Sequence, residues 1–344
     1  MDEIKRKKEH LEISMKGDME NGEITSGFEE YRFVHNALPE LDADSIDTGI
    51  EVLGKKLAAP LMIAPITGGT GEGGVINRRL AAAAAGAGIA MAVGSQRIAL
   101  EDPGSRHAFT VRDTAPDMLL FANLGAVQLN YGYGLKQCRE AVDMIGADGL
   151  MLHLNPMQEV FQDGGNRDFS GLADKIKNIC KSVSFPVVVR EVGFGISAGT
   201  AEKLISCGVS GIDIGGAGGT SWINIEAERS QDHVRARIAK TCRGWGIPAA
   251  ECLEGMRGLK KDILIIASGG IRSGLDAARA IALGADIAGI ALPLLKAASV
   301  SGEKARALID EYITGLRIAM FGIGAKNIEE LKNTRYLKKK GRHI

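Results

Sequence analysis

The sequence predicts one α/β domain, a (β/α)8 TIM barrel with an N-terminal extension and a long connection after its sixth strand. Three observations carry that expectation. Eight short apolar runs, many of them β-branched, recur between residues 61 and 293. Strands buried on both faces look like this, rather than alternating. Between most of them lie helical patterns such as "INRRLAAAAAGAG", "LADKIKNICKSV", "TAEKLISCG" and "GLDAARAIALGA". Strand–helix alternation implies a parallel sheet. Finally, glycine is frequent, at 45 of 344 residues, and it clusters where the apolar runs stop. A doubly wound open sheet is the competing arrangement.

In order, the predicted strands lie in "LMIAPITGG" (61–69), "IAMAVGS" (89–95), "LLFANLG" (119–125) and "GLMLHLN" (149–155). The second four lie in "PVVVREVG" (186–193), "GIDIGG" (211–216), "ILIIASGG" (263–270) and "IAGIALP" (287–293). Eight repeats of this length suit a closed barrel. The expected division is an extension over residues 1–58, a barrel over 59–325 and a basic tail over 326–344, "LKNTRYLKKKGRHI" at its end, read as a solvated terminus. Residues 217–262 form the longest connection, and long strand-to-helix connections in barrels often build or cover the active site.

Composition removes several function classes. With 42 basic and 42 acidic residues the formal net charge is zero, which argues against bulk nucleic-acid binding and leaves anion sites local. Five widely spaced cysteines without a CxxC pair argue against a disulfide framework or a zinc site. The charged start "MDEIKRKKEHLEI" lacks the apolar core of a signal peptide, and "LAAAAAGAGIAMAV" (80–93) is shorter than a membrane span. The expectation is a soluble, cytoplasmic protein with no nucleic-acid or membrane partner.

Barrel enzymes carry their chemistry at the strand exits. Here those exits hold Thr67–Gly69, Gly94–Arg97, Asn123–Gly125, His153–Glu159, Arg190-Glu191, Gly215-Gly216 with Thr220, Ser268–Arg272 and Ala291-Leu292. "ASGGIRSGLDAARAIALGAD" (267–286) ends a strand in Gly-Gly before a helix near Ser273, a pattern that admits a phosphate to backbone N–H groups. After strands seven and eight, a phosphate is often that of FMN, with its ring over the mouth and "ITGGT", "GSQ", "NLG" and Arg190 lining it. A second anion site is suggested by Arg97, whose fork suits phosphate, and by Arg6, Lys7 and His10 in "IKRKKEH", although a terminal charge run is ordinarily solvated. Two anion sites imply a diphosphate, and Glu159 among amides then suits Mg²⁺. His153 read alone is a satisfied histidine, and Glu191 a structural partner of Arg190.

"RKKEH", "ITGGT", "GSQR", "NLGA", "HLNPMQE", "EVGFGIS", "GGAGGTSW" and "ASGGIR" stand in the order in which the chain resembles the type 2 isopentenyl diphosphate isomerases. The resemblance runs from about residue 4 to the end of the barrel. It implies flavin-binding roles for Ile66, Thr67, Gly68, Ser95, Asn123, Arg190, Thr220, Gly269, Gly270, Ile271, Ala291 and Leu292, beside Arg272 of the same loop. It implies substrate contacts for Arg6, Lys7, Ser95, Gln96, Arg97 and Gln158, with His10, His153 and Asn155 around the diphosphate and the metal. Glu159 matches the magnesium ligand, and Gln158 the residue that orients or relays the catalytic proton. The implied reaction is a 1,3-proton shift between isopentenyl and dimethylallyl diphosphate, with reduced FMN as acid and base, Mg²⁺ on the diphosphate, and NADPH or another reductant to reduce the flavin. A homo-tetramer or homo-octamer is implied as well. One departure is visible, because the family usually carries Lys where this chain has Arg190, and the two cations differ in reach and geometry. The rival activity is an FMN-dependent oxidoreductase of the 2-hydroxy-acid oxidase kind, which draws its base from a histidine late in the barrel; no histidine lies between residues 234 and 342.

Overall fold

The computed structural model describes residues 3–16, 19, 22–259 and 263–341. Eight parallel strands close a barrel in sequence order: β1 (Leu61–Ile63), β2 (Ala90–Ala92), β3 (Leu120–Gly125), β4 (Gly149–Leu154), β5 (Val187–Glu191), β6 (Gly211–Asp213), β7 (Leu264–Ser268) and β8 (Ile287–Ile290). Each falls within one of the eight apolar runs. The period-2 alternation of a strand divides their side chains into two cores. Met62, Ala90, Phe121, Met151, Val188, Ile266 and Ile287 fill the barrel interior. Leu61, Met91, Leu120, Leu150, Val189, Ile265 and Ala288 face the surrounding helices.

Those helices begin and end where local chemistry dictates. Thr70 accepts the Gly73 N–H at the start of Gly71–Ala87, and Gly88 closes it in the left-handed region. The apolar stretch 80–93 is therefore one end of this helix followed by β2, and among the described residues no helix is long and apolar enough to cross a membrane. Helix Gly302–Ile323 packs against Gly71–Ala87 and against Gly274–Ala282. The hairpin Ile50–Val52/Lys55–Leu57 plugs the far end of the barrel with Val52 and Leu57.

Two segments differ from expectation. The extension starts with a helix, Glu3–Lys16, laid across the mouth of its own barrel, so its charges are not all solvated. Its buried side repeats at helical spacing through Glu3, Arg6, Lys7, His10, Leu11 and Ser14, all of which line the mouth. Lys5 and Lys8 stay exposed. The tail is not a solvated terminus: Leu337–Lys339 pairs antiparallel with Tyr31–Phe33, and Lys339 reaches Glu254 at 2.9 Å. Backbone pairing to an ordered segment holds it in place; residues 342–344 of this tail lie outside the described residues. The long connection carries helices Trp222–Arg229, His233–Thr241 and Ala249–Met256.

Candidate active site at the barrel mouth

The strand exits, the N-terminal helix and the loop after β6 enclose one cavity. All the anticipated site residues line it except Gln96. That side chain is fully buried in the wall instead. Its amide nitrogen donates to the Ala141 carbonyl at 2.9 Å, and its oxygen accepts the Asn123 N–H at 2.8 Å. Gln96 braces β3 against the helix Leu135–Ile145, and its neighbours Ser95 and Arg97 face the cavity.

The floor of the cavity is a band of polar side chains contributed by adjacent strands. His153 stands beside Arg190 in register, and Arg190 beside Asp213. His153 Nδ1 lies 2.8 Å from Asn123 Oδ1. Burial, with Arg190 and Lys7 nearby, pushes its imidazole down to about 3, so it is neutral and donates through Nδ1 to the amide oxygen. Arg190 Nε lies 3.5 Å from Asp213 Oδ2 and donates to the Glu191 carbonyl at 3.2 Å. The Glu191 carboxylate is not the partner of Arg190. It accepts the N–H groups of Gly193 and Phe194 and shapes that loop.

At the exit of β4, Pro156 opens a short helix, Pro156–Phe161, suited to its first position because proline has no N–H to leave unpaired. This helix turns Gln158 and Glu159 inward. Asn155 Nδ2 donates to Gln158 Oε1 at 3.1 Å and to Glu159 Oε1 at 3.0 Å. Glu159 Oε2 accepts the Asn166 N–H. Burial raises the Glu159 pKa, against these hydrogen bonds and the charges of Arg6 and Arg97. Gln158 Nε2 donates to Glu226 Oε1 at 3.3 Å, the same oxygen that His10 Nε2 reaches at 2.9 Å. Glu226 was not anticipated. Burial opposes its ionisation, yet the His10 hydrogen bond, the Arg229 guanidinium and the Gln158 amide hold it below the usual carboxylate range. Nothing in "INIEAER" marks this glutamate among surface charges; only its burial does.

Cations gather above this network. Lys7 Nζ donates to the Ser95 carbonyl at 2.7 Å and sits over the Phe109 ring. Burial lowers its pKa to about 8, with Glu3 opposing and Arg6 and Arg97 reinforcing. Arg97 is paired with Glu101 at 2.9 Å and Glu3 at 3.5 Å, and Arg6 with Glu3 at 3.1 Å.

The opposite side is built from backbone. Gly269 and Gly270 have φ of 100° and 76°, a conformation that side chains rarely adopt. A Cβ on Gly270 would fall 2.7 Å from the Gly218 carbonyl oxygen. Among the described residues the N–H groups of Gly269, Gly270 and Ile271 have no protein acceptor, and these residues line the cavity. Consecutive donors of this kind form an anion cradle. The helix after β7 is a weaker anion site than expected, since Ser273 and Asp276 cap it internally. The helix Leu292–Val300 after β8 begins at Ala291 without a side-chain cap. A flavin phosphate therefore fits between the Gly269–Ile271 N–H groups and Leu292. A hard cation fits at Glu159 beside Asn155, whose buried Oδ1 has no partner among the described residues. No cluster of three or more His, Cys, Asp or Glu side chains suited to a metal occurs among the described residues, so the cation would need oxygens from the substrate.

The FMN-dependent dehydrogenase family matches residues 10–107 and 139–338. The isopentenyl-diphosphate delta-isomerase of Nostoc sp. is 48% identical over 329 residues, covering 96% of this chain and 94% of its own. That of Synechococcus sp. is 49% identical, with 92% and 91% covered. That of Oceanobacillus iheyensis is 44% identical, with 96% and 94% covered. Among solved structures, a flavocytochrome b2 matches with a TM-score of 0.70 at 18% identity, over 99% of this chain and 85% of that one. A mandelate oxidase bound to (S)-mandelic acid matches at 0.65 and 18%, over 98% and 95%. At such identities the structural likeness speaks for the fold alone.

Proposed function

The chain belongs to the FMN-dependent isopentenyl-diphosphate delta-isomerases, and from that premise we propose how its mouth carries out the isomerisation. The substrate's diphosphate lies under the N-terminal helix among Arg6, Lys7, His10, Ser95 and Arg97, and its alkene points down toward the polar floor. FMN, when bound in its reduced form, supplies the acid and base for the 1,3-allylic proton shift. Glu159, with Asn155 and His153 of the same strand exit, would hold Mg²⁺, which would supply positive charge against the diphosphate.

The protein's own groups do the rest. Gln158 is held at both ends of its amide, by Asn155 and by Glu226. It has no titrating group near neutral pH, so it orients or relays a proton at its amide rather than acting as a strong base. Glu226 ties that amide to His10 and so links substrate closure to the reacting end of the site. Leu11 and Trp222 add apolar surface to the lining, which disfavours water beside the bound substrate. Arg190 supplies positive charge from below. NADPH or another reductant loads the flavin, and the enzyme works as a cytoplasmic homo-tetramer or homo-octamer.

The observation that carries this reading is the joined set Asn155–Gln158–Glu159–Glu226–His10, which puts an amide and a carboxylate opposite an anion cradle. The oxidase reading lacks its late-barrel histidine: none lies between residues 234 and 342, and burial makes His153 a weak base near neutral pH. Anaerobic incubation with isopentenyl diphosphate, FMN, Mg²⁺ and NADPH tests the proposal. Dimethylallyl diphosphate forming far in excess of NADPH consumed is expected. Stoichiometric NADPH use, or no product, would overturn it.

A further inference from the structure

Asp213 is a carboxylate in the wall of a barrel, fully buried in the strand β6. An isolated charge there is costly unless paired. Its Oδ1 is taken by the Ser268 hydroxyl from β7 and by the Gly215 N–H. Its Oδ2 has no hydrogen-bond partner among the described residues and faces Arg190 Nε at 3.5 Å. Arg190 carries five N–H donors, and only Nε is used within the protein, among the described residues. With Nε fixed by Asp213 and the Glu191 carbonyl, its terminal nitrogens are left for the cavity that Arg190 lines. The nearest alternative counter-charge, the Glu191 carboxylate, is committed to the Gly193 and Phe194 N–H groups.

We propose that Asp213, pinned by Ser268, is a positioning residue that aims Arg190 at the flavin and, by offsetting part of its charge, sets how strongly the protein favours reduced over oxidised FMN. This rests on the FMN reading above. A flavin gains negative charge on reduction, so a nearby cation favours the reduced form and charge close to the ring tunes its electronics. Arg190 alone would pull hard toward reduction. The pair pulls less, and what remains depends on Asp213 being ionised and held. Ser268 thereby reaches the cofactor through two intermediaries that the barrel's register places side by side.

The test is the midpoint potential of protein-bound FMN in the full chain, for the wild type, Asp213→Asn, Asp213→Ala, Arg190→Met and Arg190→Met/Asp213→Asn. Asp213→Asn is expected to raise the reduced-to-oxidised ratio at a fixed potential about tenfold, an upward shift of about 30 mV for a two-electron couple. In the Arg190→Met background the same change is expected to do nothing, because burial then keeps Asp213 protonated once the guanidinium that holds it ionised is gone. No shift in either single Asp213 variant, or an equal shift without Arg190, overturns the proposal. So does loss of FMN uptake from both single variants while the wild type retains it, since Asp213 would then serve the fold. Failure of the wild type to take up FMN overturns the cofactor reading itself, and the two failures are thereby distinguished.

Discussion

The two sides of the barrel mouth are built on different principles. On the β7–β8 side, Gly269, Gly270 and Ile271 offer backbone N–H groups, with the uncapped helix at Leu292 beside them. Elsewhere around the mouth the surface is made of side chains from distant segments, Lys7 and His10 on the N-terminal helix and Asn155 to Glu159 after β4, tied together behind the lining by the buried Glu226. A backbone cradle recognises any phosphate of the right size, so it suits a cofactor shared by many enzymes of the fold. A side-chain cluster assembled from separate segments is specific to one substrate and one reaction. Holding the cofactor and turning over the substrate should therefore be separable by mutation.

The sharpest way to break that division is on the backbone side. Gly270→Ala forces a Cβ to within 2.5 Å of Ser26 Cβ at a φ of 76°. The strain of about 1–3 kcal/mol moves the cradle, and FMN affinity is expected to fall about 10- to 100-fold in a fluorescence titration. Across the mouth, Glu226→Ala removes one of two carboxylates paired with the buried Arg229, Glu9 staying at 3.1 Å, and takes the shared acceptor from His10 and Gln158. A loss of about 1–3 kcal/mol in denaturant unfolding is expected, with FMN affinity spared per folded molecule. Glu159→Gln is expected to raise the Mg²⁺ concentration for half-maximal activity about tenfold, again without loosening FMN. The mildest effect is a pH limb. On the proposed reading Lys7 attracts the diphosphate only when protonated, and burial lowers its pKa to about 8. As pH rises through that value, kcat/KM should fall, and Lys7→Arg, which stays charged, should abolish the limb.

The same division explains how much could be read in advance. All eight strands were legible because a strand buried on both faces must be apolar throughout, as in "VVV" of β5. The cradle was legible because Gly-Gly at a strand end has few other uses. Residues 153–159 stood out as polar groups at the end of an apolar run. Glu226 was hidden because one glutamate in a charged helix looks like a solvated one until the helix is placed. Asp213 did leave a signal, a lone carboxylate within "GIDIGG", which an apolar strand retains only for a partner. Gln96 misled because it sits between two residues that line the cavity. One position along the chain at a strand exit is enough to turn a side chain from the cavity into the wall. The tail misled because its basic composition resembles a solvated end, whereas its hydrogen bonds go to Tyr31–Phe33.

On the proposed reading, FMN holding and turnover reside in opposite sides of one cavity. This separation is tested most directly by titrating FMN into Gln158→Ala and measuring turnover on the same preparation. FMN affinity within about twofold of wild type, with turnover down by about 100-fold or more, is the predicted result. Parallel loss of both, or full activity, would contradict it.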